Sequence, residues 1–355
     1  MARALRVGWI VVLASAPVIA QPMTVRVVAS TAARPAWTTG PVQARVGEAV
    51  TLSVRVVGPR GRLVELPAGA TVRWRRVVPR REHREFPSPN PGLTSFSNAV
   101  LFGPRHGRWL GYDRLEYDTT PVAATGSTMS VRDAGAEHGG AGSSWWAAEV
   151  ALPDGRTLHT PDGASVDRLG LSPTVLRVSF REGDNFLGWL STYFHVTSVF
   201  GSNGGTDATH QTDRYTGADC ADVMVGALRA SGRRMVRYTS VVGIHEYAVA
   251  RSGVLRVGGD GRVQGATGPV ELRWGADVLP GDLVTIDYAE EGGAALPRAW
   301  DHIGALVADR NRDGVLDGED TLRHEASHGL DDTPLRHAGA MRVMLWRWRE
   351  ELTRR

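Results

Sequence analysis

The chain has no lysine and only one cysteine in 355 residues; all 41 basic side chains are arginine. A phosphate-cradling P-loop needs a Lys-Ser/Thr pair behind its glycines, so the cluster Gly201-Ser202-Asn203-Gly204-Gly205 is excluded from that role. One cysteine cannot close an internal disulfide, so core burial has to supply the stability. The apolar run at the start, Val7 to Ala14, falls short of the ~20 residues a membrane-spanning helix needs. Nor does one charge sign dominate: 41 basic against 38 acidic residues gives a net charge of +3. The pI near 9.3 reflects arginine content and no concentrated basic face, which argues against nucleic acid as a partner. What is present, 42% hydrophobic residues with 42 Gly and 19 Pro, belongs to a folded, turn-rich chain long enough for two domains.

The first twenty residues read as an export signal. Arg3 and Arg6 precede the apolar run, and Val18-Ile19-Ala20 is a small-residue cleavage site before Gln21. With no cysteine near the cut there is no lipid attachment, and the expected location is secreted or periplasmic, with no stable membrane insertion after cleavage. Residues 23–180 read as all-β, an immunoglobulin-like sandwich. Val50, Leu52, Val54 and Val56 alternate with polar or small neighbours; Val72 and Trp74 do the same before Pro79; Trp145 to Leu152 runs into the turn Pro153-Asp154-Gly155; and Val175 to Phe180 is a last strand. Arg80 to Gly107 reads as a long loop. The clustered Arg73, Arg75, Arg76, Arg80, Arg81 and Arg84 read as a solvated face, with an anionic wall polymer as the functional alternative.

Residues 185–355 carry the chemistry. Asn185 to Phe194 reads as a short helix. Asp219 is placed to cap a second helix that begins at the single cysteine, Cys220. There Val223, Met224, Ala227 and Leu228 share an apolar face and Gly232 stops the helix. A thiol at a helix N-terminus sees positive partial charge, which favours the nucleophilic thiolate; the plain alternative is a small buried hydrophobe. Strands follow at Leu283 to Ile286, Asp301 to Ala308, Thr321 to Ala326 and Met341 to Trp348, an α+β order.

Four pieces then occur in sequence: Asp219-Cys220 at a helix start, Leu279-Pro280-Gly281-Asp282-Leu283, Asp301-His302-Ile303-Gly304, and Leu322-Arg323-His324. Together they resemble the NlpC-type cell-wall cysteine peptidases of the papain-like group, over roughly residues 201–348. The resemblance implies a papain-like domain. Cys220 would be the nucleophile, His302 the general base and His324 the orienting group, with the Cys220 amide in an oxyanion hole. His328 is the second candidate for orienter. It further implies cleavage of amide bonds in cell-wall peptides. Ala221 stands where the family has Ser, and the family's upstream Tyr and Trp have no clear counterpart, Tyr215 lying closer to the cysteine.

Between the histidine strands, Asp309 to Asp320 has the spacing of a calcium loop. Asp309, Asn311 and Asp313 hold the first, third and fifth places and Gly314 the sixth. Val315 would offer a carbonyl, with Asp317 ninth and Asp320 twelfth, where Glu is usual. Structural calcium is therefore the expected cofactor, stiffening the hairpin that presents His302 and His324. Two other readings stand beside the hydrolase. His324-Glu325-Ala326-Ser327-His328 matches the H-E-x-x-H zinc protease signature, with His337 or Glu350 as third ligand, provided the segment is helical. A non-catalytic cell-envelope binding protein is the other.

Overall fold

The structure is a computed structural model that describes residues 23–82, 114–167, 169–199, 202, 210–288, 300–326, 328–337 and 340–353. The export signal, Arg84 and nearly all of the expected 80–107 loop and 201–205 glycine cluster lie outside these residues. The protein is mostly β, 44% strand and 14% helix in several sheets. Among the described residues no helix is long and apolar enough to cross a membrane.

The first half is two facing sheets. One joins Arg34–Thr38, Thr24–Thr31, Val50–Val57 and Leu63–Val64, with Thr128–Val131 also paired to Val50–Val57. The other runs Val42–Arg45, Leu176–Arg181, Gly142–Ala151, Thr71–Glu82 and Arg114–Pro121, with Thr157–His159 folding back on Gly142–Ala151. Side chains alternate across a strand, and in Gly142–Ala151 both faces are covered. Trp146, Ala148 and Val150 enter the core between the sheets. Trp145 and Ala147 enter a second core that also holds Val223, Met224, Ile303 and Leu330 from the other half. A strand buried on both faces reads as a continuous apolar run, as Trp145-Trp146-Ala147-Ala148 does.

The expected 80–107 loop is corrected at its start. Strand Thr71–Glu82 continues through Pro79 and pairs with Arg114–Pro121 as far as Glu82 opposite Arg114. Proline is tolerated there because Gly142–Ala151, the neighbour on the other side, pairs only up to Val77. Part of the arginine cluster is paired across strands: Arg73 and Arg75 reach Glu149, and Arg80 reaches Glu116 and Asp118.

The second half is a nine-stranded antiparallel sheet with a helix against it. Met341–Trp348, Leu283–Asp287, His302–Ala308, Thr321–Ala326 and Gly329–Pro334 are successive neighbours. Helix Cys220–Ala230 packs on strand His302–Ala308 and on the short helix Phe186–Leu190, so residues 221–229 are all buried, not one face alone. Gly226 is required by this packing: a Cβ there would lie 2.5 Å from the Tyr193 hydroxyl. Leu306, Leu322, Val284 and Val343 form a third core. Arg323, only 2% exposed, donates to both Asp332 and Glu182 and so ties this sheet to the end of the sandwich.

Candidate functional site

Asp219 accepts from the amides of Ala221 (3.1 Å) and Asp222 (2.8 Å), the N-cap arrangement that lets a helix start abruptly. It leaves the Cys220 N–H uncapped at the first helical position, as an oxyanion donor would have to be. Gly232 adopts φ +105° and the Arg229 and Leu228 carbonyls take the amides of Gly232 and Arg233, which closes the other end. Cys220 is half-buried as a residue, but its sulfur is buried and faces the Ile303 amide, one residue beyond His302. Burial pushes the thiol well up from its ordinary value, and the carboxylates of Asp219, Asp222 and Glu325 push the same way against the Ile303 amide. This corrects the expectation of a resting thiolate. Helix-end charge falls off within a turn, and here desolvation and three nearby carboxylates outweigh it, so the thiol rests protonated.

His302 opens strand His302–Ala308, and His324 sits in the neighbouring strand opposite Gly304. Residues two apart on a strand share a face, so the two imidazoles meet diagonally: His302 Nε2 and His324 Nδ1 are 2.8 Å apart. His324 Nε2 lies 2.9 Å from Thr333 Oγ1, and the Thr333 hydroxyl is directed at the Pro334 carbonyl at 3.4 Å. A hydroxyl has one proton, so if Thr333 gives it to Pro334 it must accept from His324 Nε2–H. His324 Nδ1 then carries the lone pair that accepts from His302 Nε2–H. The relay leaves His302 Nδ1 as the basic nitrogen, with no hydrogen-bond partner among the described residues. No hydrogen bond joins it to Cys220.

Two further side chains complete the group. His337 lies 4.4 Å from His324, ring centre to ring centre. Its Nδ1 meets the Leu335 carbonyl, which leaves Nε2 to accept from the Tyr288 hydroxyl at 2.9 Å. Tyr288 feels the charge of Cys220 and so stands near the sulfur. Burial drops His302 to about 3, with His337 adding to the effect. Burial, then His302 and His337, drop His324 to about 2. Only one proton fits between the facing nitrogens of the first pair. The site at rest is thus a neutral thiol beside neutral imidazoles.

The structure brings Cys220, His302 and His324 to one place but sends His328 elsewhere. His328 is exposed at the turn between Thr321–Ala326 and Gly329–Pro334 and lines a cleft with Arg76 and His195, so it does not orient His302. The H-E-x-x-H segment lies on a strand and its turn, so the two histidines do not share a helical face as zincin geometry requires.

In the 309–320 loop the Asp309 oxygens accept from the Arg312 and Gly314 amides, and Asn311 Nδ2 bridges Asp313 and Asp317. Asp320 behaves differently from the expected ligand. It is 0% exposed and takes the Arg310 and Asp317 amides and the Trp274 indole N–H, so its carboxylate closes the loop internally.

Tyr288 and Thr333 were not singled out by sequence reasoning. Nothing near them in sequence marks them, since they reach the histidines only through strand register. His337, a candidate zinc ligand from the sequence, stands beside His324 and is engaged by Tyr288.

No family model matches the chain. No curated protein and no solved structure matches it either.

Proposed function

We propose that the second half is a papain-like thiol hydrolase that cleaves amide bonds, with cell-wall peptides as substrate, and that the first half is an immunoglobulin-like module joined to it. The observation that carries this reading is the relay from Thr333 through His324 to His302, which leaves one basic nitrogen on the residue beside the amide that faces Cys220. With both partners neutral, His302 removes the thiol proton as the sulfur attacks the carbonyl carbon. The Cys220 amide receives the developing oxyanion. The imidazolium then protonates the leaving amine, and water, activated by the same nitrogen, releases the acyl group from the thioester. Conversion of Cys220 to Ser is expected to stop cleavage of purified muropeptides; undiminished cleavage would overturn the reading.

A second reading has one observation in its favour. The protonated thiol, pressed by three carboxylates, is what an inert binding protein would carry. Acyl trapping separates the two: a thioester on Cys220 caught by mass spectrometry after mixing with muropeptide belongs to the hydrolase, and its absence belongs to the binding protein. Calcium in the 309–320 loop is likewise our proposal. Asp309, Asn311, Asp313 and Asp317 with the Val315 carbonyl supply the oxygen donors calcium prefers, Asp320 acting as the internal brace.

A further inference from the structure

We propose that Glu137, His138 and His195 form a binding site for a divalent transition metal of the zinc type, at the seam between the two halves. One ligand atom from each residue lies within 4.8 Å of the other two, the only such group among the described residues. Glu137 and His138 come from the loop before strand Gly142–Ala151, and His195 follows the turn Ser191–Tyr193 that leads into the second half. The site shares no residue with the cysteine centre and stands whether or not that centre is catalytic.

His195 is held in one tightly fitted position. Its backbone is left-handed, φ 68°, as is that of His138, φ 50°. Its Nδ1 is buried against Gly142, where a Cβ would come within 2.9 Å of it, with the Ser143 backbone beside the ring, and this fixes which way Nε2 points. Only glycine allows the ring to lie there. Its Nε2 is 3.8 Å from Glu137 Oε2, beyond hydrogen-bond length. Two atoms bound to one tetrahedral ion at about 2.1 Å stand about 3.4 Å apart, so 3.8 Å needs a shift of tenths of an ångström only. His138 is held by stacking flat on Phe194, ring centres 3.9 Å apart and planes 4° from parallel.

The chemistry of the set selects the ion. Two imidazoles and one carboxylate suit zinc and its neighbours, whereas calcium and magnesium need mostly oxygen donors. Arg76 lies in the same cleft, tied to the Ala134 carbonyl, and Asp133 and Glu137 oppose its charge. Three protein ligands leave a fourth position for water or a substrate oxygen. The adjoining cleft of ≈ 500 Å³, lined by Arg76, Trp145, Thr197 and His328 among others, has room for either.

The test is zinc titrated into the full-length protein against a chromophoric chelator, with the visible absorption of cobalt(II) as a second readout of ligation. One ion per chain is expected. Glu137→Gln and His195→Gln should each weaken it at least tenfold, and the double variant His302→Gln/His324→Gln should leave it unchanged. The Glu137 side chain is 80% exposed, so its substitution acts on the ligand set and not on folding. No stoichiometric ion, an ion retained by both single variants, or an ion lost only with His302 and His324 would overturn the proposal.

Discussion

Two histidine groups in this molecule differ in where their protons can go. Among His302, His324 and His337, five of six ring nitrogens have hydrogen-bond partners, and the sixth is His302 Nδ1. In the seam group His195 Nε2 stands 3.8 Å from Glu137 Oε2, beyond hydrogen-bond length, with His138 close to both. A closed chain of donors singles out one base, whereas facing acceptors with nothing between them call for a cation. The same side chain is thereby given opposite chemistry by its neighbours.

The contrast can be broken most directly at the base. His302→Ala is expected to lower kcat/KM for muropeptide cleavage by about 10³-fold or more, while His245→Gln, an exposed histidine outside both groups, leaves it unchanged. Comparable losses in steady-state assays would show that the sheet group has no special role. The shared core is tested next. Trp145→Ala should cost about 3–5 kcal/mol in denaturant unfolding, as for other buried tryptophans, and lower the midpoint of both halves together. A loss confined to one of two separable transitions would show that the halves are independent.

Acid sharpens the comparison further. His302 and His324 bind protons less readily folded than unfolded. Their contribution to stability is complete above the unfolded value near 6.5 and is lost as pH falls from there toward about 3. The slope is up to about 1.4 kcal/mol per pH unit for each. His324→Gln should flatten that slope; an unchanged profile by urea titration at pH 4 to 7 would mean the pair titrates normally. Thr333→Val removes the acceptor of the relay while keeping its shape, and about a tenfold fall in kcat with KM unchanged is expected for one lost hydrogen bond. The smallest effect is at the calcium loop. Chelation, or Asp313→Ala, should lower Tm by about 2–4 °C, as for a loss near 1 kcal/mol, and no shift in either would remove the ion from this loop.

Much of the local structure was legible in the residues themselves. The Asp219 cap and the Gly232 stop mark helix Cys220–Ala230, and the alternation of Val50 to Val56 marks a strand, because capping and period-two burial depend on neighbours in sequence. The strands that carry His302 and His324 were legible for the same reason, whereas their neighbour Gly329–Pro334 was not. The extension of strand Thr71–Glu82 past Pro79 was not either, since whether proline is tolerated depends on which edge faces a partner. Nor were Tyr288 and Thr333, which join the histidines across the sheet.

Sequence alone marked helix Cys220–Ala230, the strands that carry His302 and His324, and the order in which one sulfur precedes those two histidines. Tertiary structure decided the protonation of that sulfur, the tautomers of the histidines, the internal work of Asp320, and the meeting of Glu137 with His195. Those properties depend on desolvation and on groups that only the fold brings together, as Ile303 with Cys220 and Trp274 with Asp320.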